Sequence, residues 1–187
     1  MSITIALVGL ERWLRAHTPA TAATLAPATT LDRLDAAAST FGRPLPADVQ
    51  RLYLWHDGTV AALDRFEIHP SHYFLPLAVA VDDWAFLNRV EADRLAEDPD
   101  YRYWQPHWFP IASDGGGDHV MVETAGQHRG RVFVRSSENG PEPERGWPSL
   151  DAWADNLMDA LTTDALFAGR WRRVPNSPAL QWNYAGD

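Results

Sequence analysis

Residues 108–124 read WFPIASDGGGDHVMVET. The apolar run Trp108 to Ala112 reads as a strand and stops at a glycine turn, Ser113 to Gly117. From His119 to Thr124, Val120 and Val122 alternate with His119, Met121 and Glu123. A second turn, Gly126 to Gly130, leads into Arg131–Ser136, where Val132 and Val134 alternate with Arg131, Phe133 and Arg135. Period-two alternation between Gly-rich turns is the hairpin signal. Three such runs in succession predict an antiparallel meander.

Helical patterns flank the meander. Leu7, Leu10, Trp13 and Leu14 share a face of a helix over residues 3–16. A Thr/Ala/Pro stretch, 17–30, reads as a linker. Leu31, Leu34, Ala38 and Phe41 give a short helix stopped by Gly42, and Val49, Leu52, Tyr53 and Trp55 give another with Gly58 as its stop. Two short strands are expected around Pro70-Ser71. Residues 80–97 show Val81, Trp84, Leu87, Val90 and Leu95 on one side and charges opposite, ending at Asp98-Pro99-Asp100. Ser, Glu, Asn, Gly and Pro at 137–148 predict an exposed loop. Ser149 then caps a helix bearing Leu150, Trp153, Leu157 and Leu161. Residues 169–187 read as a Pro/Trp/Arg tail.

The 187-residue chain is 45% hydrophobic with nine Trp, which excludes disorder. Its net charge is −9, and every basic residue is arginine. An acidic surface repels nucleic acid and anionic lipid and attracts basic partners. No cysteine is present, so disulfides, thiolate zinc sites and thiol nucleophiles are excluded. No apolar run reaches the ~20 residues of a membrane span. Without a signal-peptide pattern at Met1–Leu10, a cytoplasmic location is expected.

Few residues suggest chemistry. His69 and His72 lie three apart around Pro70, short of the three ligands a zinc site requires. Asp114-Gly115-Gly116-Gly117-Asp118-His119 sits between strands and lacks the Gly-Lys-Ser/Thr ending of a phosphate loop. His56-Asp57-Gly58 places a base beside a carboxylate but no nucleophile follows. Glu67 and Glu123 have no fixed separation to make them an acid–base pair. Arg170, Trp171, Arg172 and Arg173 form a basic cluster that the preceding helix C-terminus accounts for. No catalytic residue, cofactor or metal site is therefore expected. A metal-dependent hydrolase using His56, Asp57, Asp114 and Asp118 is the least favoured alternative. Trp104, Trp108, Trp147, Trp171 and Trp182 leave an aromatic partner patch open.

The ordered segments resemble a known family. Leu45-Pro46-Ala47-Asp48-Val49 through Leu52-Tyr53 to His56-Asp57-Gly58 is similar to the N-terminal signature of the SUKH superfamily, the Smi/Knr-type group. Trp108-Phe109-Pro110-Ile111-Ala112 with its acidic glycine turn, Gly130-Arg131-Val132, and Ser149-Leu150-Asp151-Ala152-Trp153 continue the resemblance in order. It divides the chain into a helix and linker at 1–30, a SUKH-like domain at 31–165 and a tail at 166–187. Residues 80–107 are longer than the family needs.

The resemblance implies an α+β fold, with helices packed on one face of a twisted, mainly antiparallel sheet. It implies a non-enzymatic binding protein, above all an immunity protein that neutralises a nuclease-type toxin. An intracellular regulatory scaffold is the alternative. The expected partner is a basic toxin domain, with no direct nucleic-acid or membrane contact, bound by a monomer or weak homodimer. Relatives bind through the concave sheet face and its loops, which nominates Asp57, Asp82, Asp83, Trp104, Asp114, Asp118 and Glu123.

Overall fold

The computed structural model describes residues 2–60, 65–98 and 101–186. The fold is α+β, with helices packed on an antiparallel sheet. The helices are α1 (Ile3–His17), α2 (Pro19–Ala22), α3 (Leu31–Phe41), α4 (Ala47–Trp55), α5 (Leu77–Glu97) and α6 (Leu150–Thr162). The main sheet holds β1 (Glu67–His69), β2 (His72–Phe74), β3 (Trp108–Ser113), β4 (His119–Glu123), β5 (Val132–Ser136) and β6 (Gly140–Trp147), hydrogen-bonded in chain order. Every neighbour is antiparallel. Bulges interrupt the β3–β4 register near Pro110 and the β5–β6 register near Val132, and bulges of this kind bend a strand and increase its twist.

The expected meander is β3–β5, and the strands around Pro70-Ser71 are β1 and β2. Three segments differ from their sequence patterns. The loop expected at 137–148 is mostly β6, an edge strand in which Pro141 is tolerated. The expected linker is packed down: Thr21, Thr24 and Thr29 are buried, and Leu25 bridges to Thr59. The tail folds into a second hairpin, β7 (Trp171–Arg173) with β8 (Trp182–Tyr184), and Phe167 and Leu180 enter the core.

One sheet face, with Phe109, Ile111, Val120, Val122 and Val132, joins the main core beneath α1, α4 and α6. Ile3, Leu7, Leu10 and Leu14 of α1 belong to that core. Trp153 of α6 donates from Nε1 to the Ile68 carbonyl at 2.8 Å, tying that helix to β1. The opposite face carries Trp108, Met121 and Phe133, which cluster with Leu87 and Trp104. The second half of α5 and the segment after it thus cover that face. On α5, Val90 is exposed and Glu91 buried, the reverse of the apolar spacing, because Glu91 meets the buried Arg135. The helix ends at Glu97 with Asp98 as its cap, and Pro99 and Asp100 lie outside the described residues.

Helix α5 starts after Pro76, which offers no side-chain acceptor. Asp57 supplies one from twenty residues upstream, its Oδ1 accepting the Leu77 N–H at 2.7 Å. Free N–H groups at a helix start need such an acceptor. Asp57→Ala is expected to cost ~1 kcal/mol, as other lost N-terminal caps do. Asp57→Asn, which keeps an acceptor, should cost less; equal losses in urea unfolding would remove the cap argument.

Candidate partner-binding groove

Helix α5, strand β2 and the β3–β4 turn enclose an open groove of about 550 Å³. Tyr73, Val79, Asp83, Phe86, Asp114 and His119 are among the residues lining it. The turn's carboxylates order its backbone. Asp114 Oδ1 accepts from the N–H groups of Gly116 at 2.7 Å and Asp118 at 2.9 Å. Partial burial alone would raise the Asp114 pKa, but these donors, with His72 and the Gly117 N–H, together outweigh it and hold the carboxyl below its ordinary value. Asp118 Oδ1 accepts from the Ser137 N–H at 2.7 Å and its hydroxyl at 3.0 Å. His119 donates from Nδ1 to the Gly117 carbonyl, and its Nε2 faces Asp83 Oδ2 at 3.2 Å. The groove's acidic rim is therefore built into the fold.

Deep in the groove lies a buried polar network. Arg135 meets Glu91 Oε1 at 3.2 Å and donates from Nε to the Tyr103 carbonyl at 3.0 Å. Tyr101 donates its hydroxyl to Glu91 Oε2, which Arg94 also approaches at 3.5 Å.

The nominated residues separate into four places. Asp83 and Asp114 share the groove, and Asp118 braces the turn beside it. Asp82 is exposed and lies with Asp57 on a different hollow, of about 430 Å³, against α3. There Asp57 also faces Arg33 at 3.5 Å. Glu123 is at the far end of β4, 3.6 Å from His107 Nε2. Trp104 is a correction: its ring is fully buried, with Nε1 donating to Asn88 Oδ1 at 2.8 Å, so it presents nothing to a partner. Sequence reasoning missed Tyr73, Val79, Phe86 and Arg65. Phe86 carried a signal, an aromatic among the charged residues of an amphipathic helix.

The residues nominated for hydrolysis do not converge. His56 is held by the Ala26 carbonyl near Glu11, and Asp57 caps α5, while Asp114 orders the β3–β4 turn and Asp118 ties it to Ser137 after β5. Among the described residues no group of three His, Asp or Glu side chains is arranged to hold a metal ion. Among them too, no helix is long and apolar enough to cross a membrane.

His69 and His72 pack edge-to-face at the β1–β2 turn, both facing the Pro70 carbonyl. Burial, then the neighbouring His72, then Arg170 lower the His69 pKa to about 3, against a weaker opposing pull from Pro70. Burial likewise lowers that of His72, opposed by Pro70, Asp114 and Asp118, with His119 adding to the lowering. An unfolded histidine takes up a proton near 6.5 while the folded one refuses it. Their contribution is thus complete above that pH and is lost as pH falls toward the folded values. From about pH 7 to pH 5, His69 alone should remove ~2 kcal/mol. Urea midpoints for the wild type and His69→Gln check this: the variant should show a flatter pH dependence, and an unchanged slope would refute it. Glu67, raised by burial, acts in the opposite direction at lower pH.

A family model described as the SMI1 / KNR4 family (SUKH-1) matches residues 28–156. That span runs from just before α3 into α6. No curated protein matches the chain.

Proposed function

The chain belongs to the SMI1 / KNR4 family (SUKH-1), and from that premise we propose that it is a non-enzymatic binding protein of the immunity type, which masks a basic, nuclease-type toxin domain. The observation that carries this reading is the open groove beside α5, where Asp83, Glu91 and Asp114 stand among Arg65, His119 and Arg135. Asp83 and Asp114 line it in a protein of net charge −9. Phe86 and Val79 add exposed apolar surface to the same walls. Apolar anchors ringed by polar groups make a protein interface, and opposite charge on a partner accelerates encounter and rejects acidic competitors. The scattered carboxylates and histidines support binding over hydrolysis.

The test is co-expression with the adjacent reading frames and capture of the complex. A basic partner retained at fixed stoichiometry, with its toxicity abolished, is the expected result. Its association rate should fall as salt rises, because salt screens exposed charge. A captured partner that is neither basic nor toxic would favour the regulatory scaffold instead.

A further inference from the structure

Helix α5 keeps an apolar stripe on the face turned away from the fold. Val79, Phe86 and Val90 are 41%, 52% and 43% exposed, and their spacing puts them on one side of the helix. Asp82 and Arg89 stand on the same outer face, both exposed. Arg89 rests over the Phe86 ring, with Cζ 5.5 Å from the centroid. Among the described residues, neither Asp82 nor Arg89 has an ion-pair partner in its own chain. The order of these residues is self-complementary. Asp82 and Arg89 are equidistant from the midpoint between Ala85 and Phe86. When a second α5 runs antiparallel across the stripe, with a two-fold axis at that midpoint, each Asp82 faces the other copy's Arg89. Phe86 then meets Phe86, and Val79 and Val90 fall within ~3 Å of level along the axis. A two-fold contact repeats every pair, so this one register gives two ion pairs around an apolar centre. A parallel pairing would set Asp82 against Asp82 and Arg89 against Arg89.

We propose that the outer face of α5 is the contact between two copies of this chain, paired antiparallel about Phe86. One helix face gives an interface at the small end of the specific range, so the dimer is weak and depends on concentration. Phe86 and Val79 also line the groove, so a second copy and a protein partner compete for them. The pairing does not rest on the reading of a basic partner, and it is tested on the chain alone.

The test is sedimentation velocity of the full chain from about 10 μM to about 1 mM, in about 0.15 M salt, where repulsion between exposed charges is largely screened beyond ~8 Å. That screening matters because each chain carries a net charge of −9. The average mass should rise from monomer toward dimer across the range. Phe86→Asp should abolish the rise. Asp82→Arg and Arg89→Asp, which each set like charges face to face, should weaken the dimer about tenfold or more. The two combined should bring it back to within about threefold of the wild type, because the pair is restored with its signs exchanged. All three positions are exposed, so the variants keep the fold, and equal urea midpoints check this. A monomer at every concentration, a dimer indifferent to Phe86→Asp, or a double variant no better than the single ones would each overturn the pairing. Each of these outcomes would leave the capture of a basic toxin standing. A dimer that follows the charge exchange supports the pairing even where the co-expression retains no toxic partner.

Discussion

Arg135→Met is expected to destabilise the protein by about 3–5 kcal/mol, because it removes the buried cation from Glu91 and leaves that carboxylate only Tyr101 and the exposed Arg94. Both side chains are almost fully buried, at 4% and 6% exposure. Burial pulls the Arg135 pKa down, and Glu91 opposes that pull more strongly than any other neighbour. Removing the guanidinium also strands the Tyr103 carbonyl it serves. Glu91→Leu should be costly for the same reason, stranding the cation instead. Combining the two should cost less than either alone, since a matched apolar pair leaves no unpaired charge. Urea midpoints of the four proteins form the cycle. A loss below ~1 kcal/mol for Arg135→Met would show that water reaches Glu91 and that the cover over the sheet is loose.

Gly58→Ala should be nearly as damaging, with a loss of about 3 kcal/mol or more. A Cβ built on Gly58 would lie 2.2 Å from the Pro76 nitrogen and 2.4 Å from the Leu75 carbonyl carbon. Both obstacles are backbone, so no rotamer change relieves them. The φ of +72° adds strain for any L side chain. Retreat of the 75–76 segment would also draw Leu77 away from its Asp57 cap. The control is Gly42→Ala at the end of α3. It shares the positive φ, but nothing lies within 4 Å of the added carbon. A similar loss at both positions would assign the effect to φ alone and dismiss the close approach.

Gly58 also illustrates what a sequence conceals. Its place after a helix predicts a stop signal, and α4 does end just before it. The stronger constraint is the crossing with Leu75 and Pro76, which no local pattern displays. Elements with a clear period, such as α1, α6 and β3 to β5, were legible because their packing partner is generic: any apolar surface serves. The rest depended on particular partners. Strand β6 has the composition of a loop, and it pairs because β5 offers an open edge. Thr21 and Thr24 read as linker residues, yet Thr24 donates to the Thr21 carbonyl, and the Thr21 hydroxyl accepts the Leu180 N–H at 2.8 Å. Trp104 looked like a surface aromatic because Asn88 and Arg135, which surround it, lie on other elements. At the groove, Asp83 and Asp114 were legible as charge. Of their apolar neighbours, Phe86 carries a local signal three residues from Asp83 on α5, whereas Tyr73 reaches the turn only through the pairing of β2 with β3.

The hydrogen bond between Leu180 and Thr21 spans 159 residues, and Asp151 accepts the Ile3 N–H at 2.6 Å across 148. Both ends of the chain close one core around the span that carries the family match. Contacts this distant in sequence are slow to form, because the whole intervening loop must be ordered before they repay its entropy. During synthesis, therefore, α1 emerges before α6 and waits. Its apolar face stays without α6 until the ribosome has added well over a hundred residues, roughly seven to thirty seconds at ~5–20 residues per second. This core closes only after Leu180 has joined Thr21.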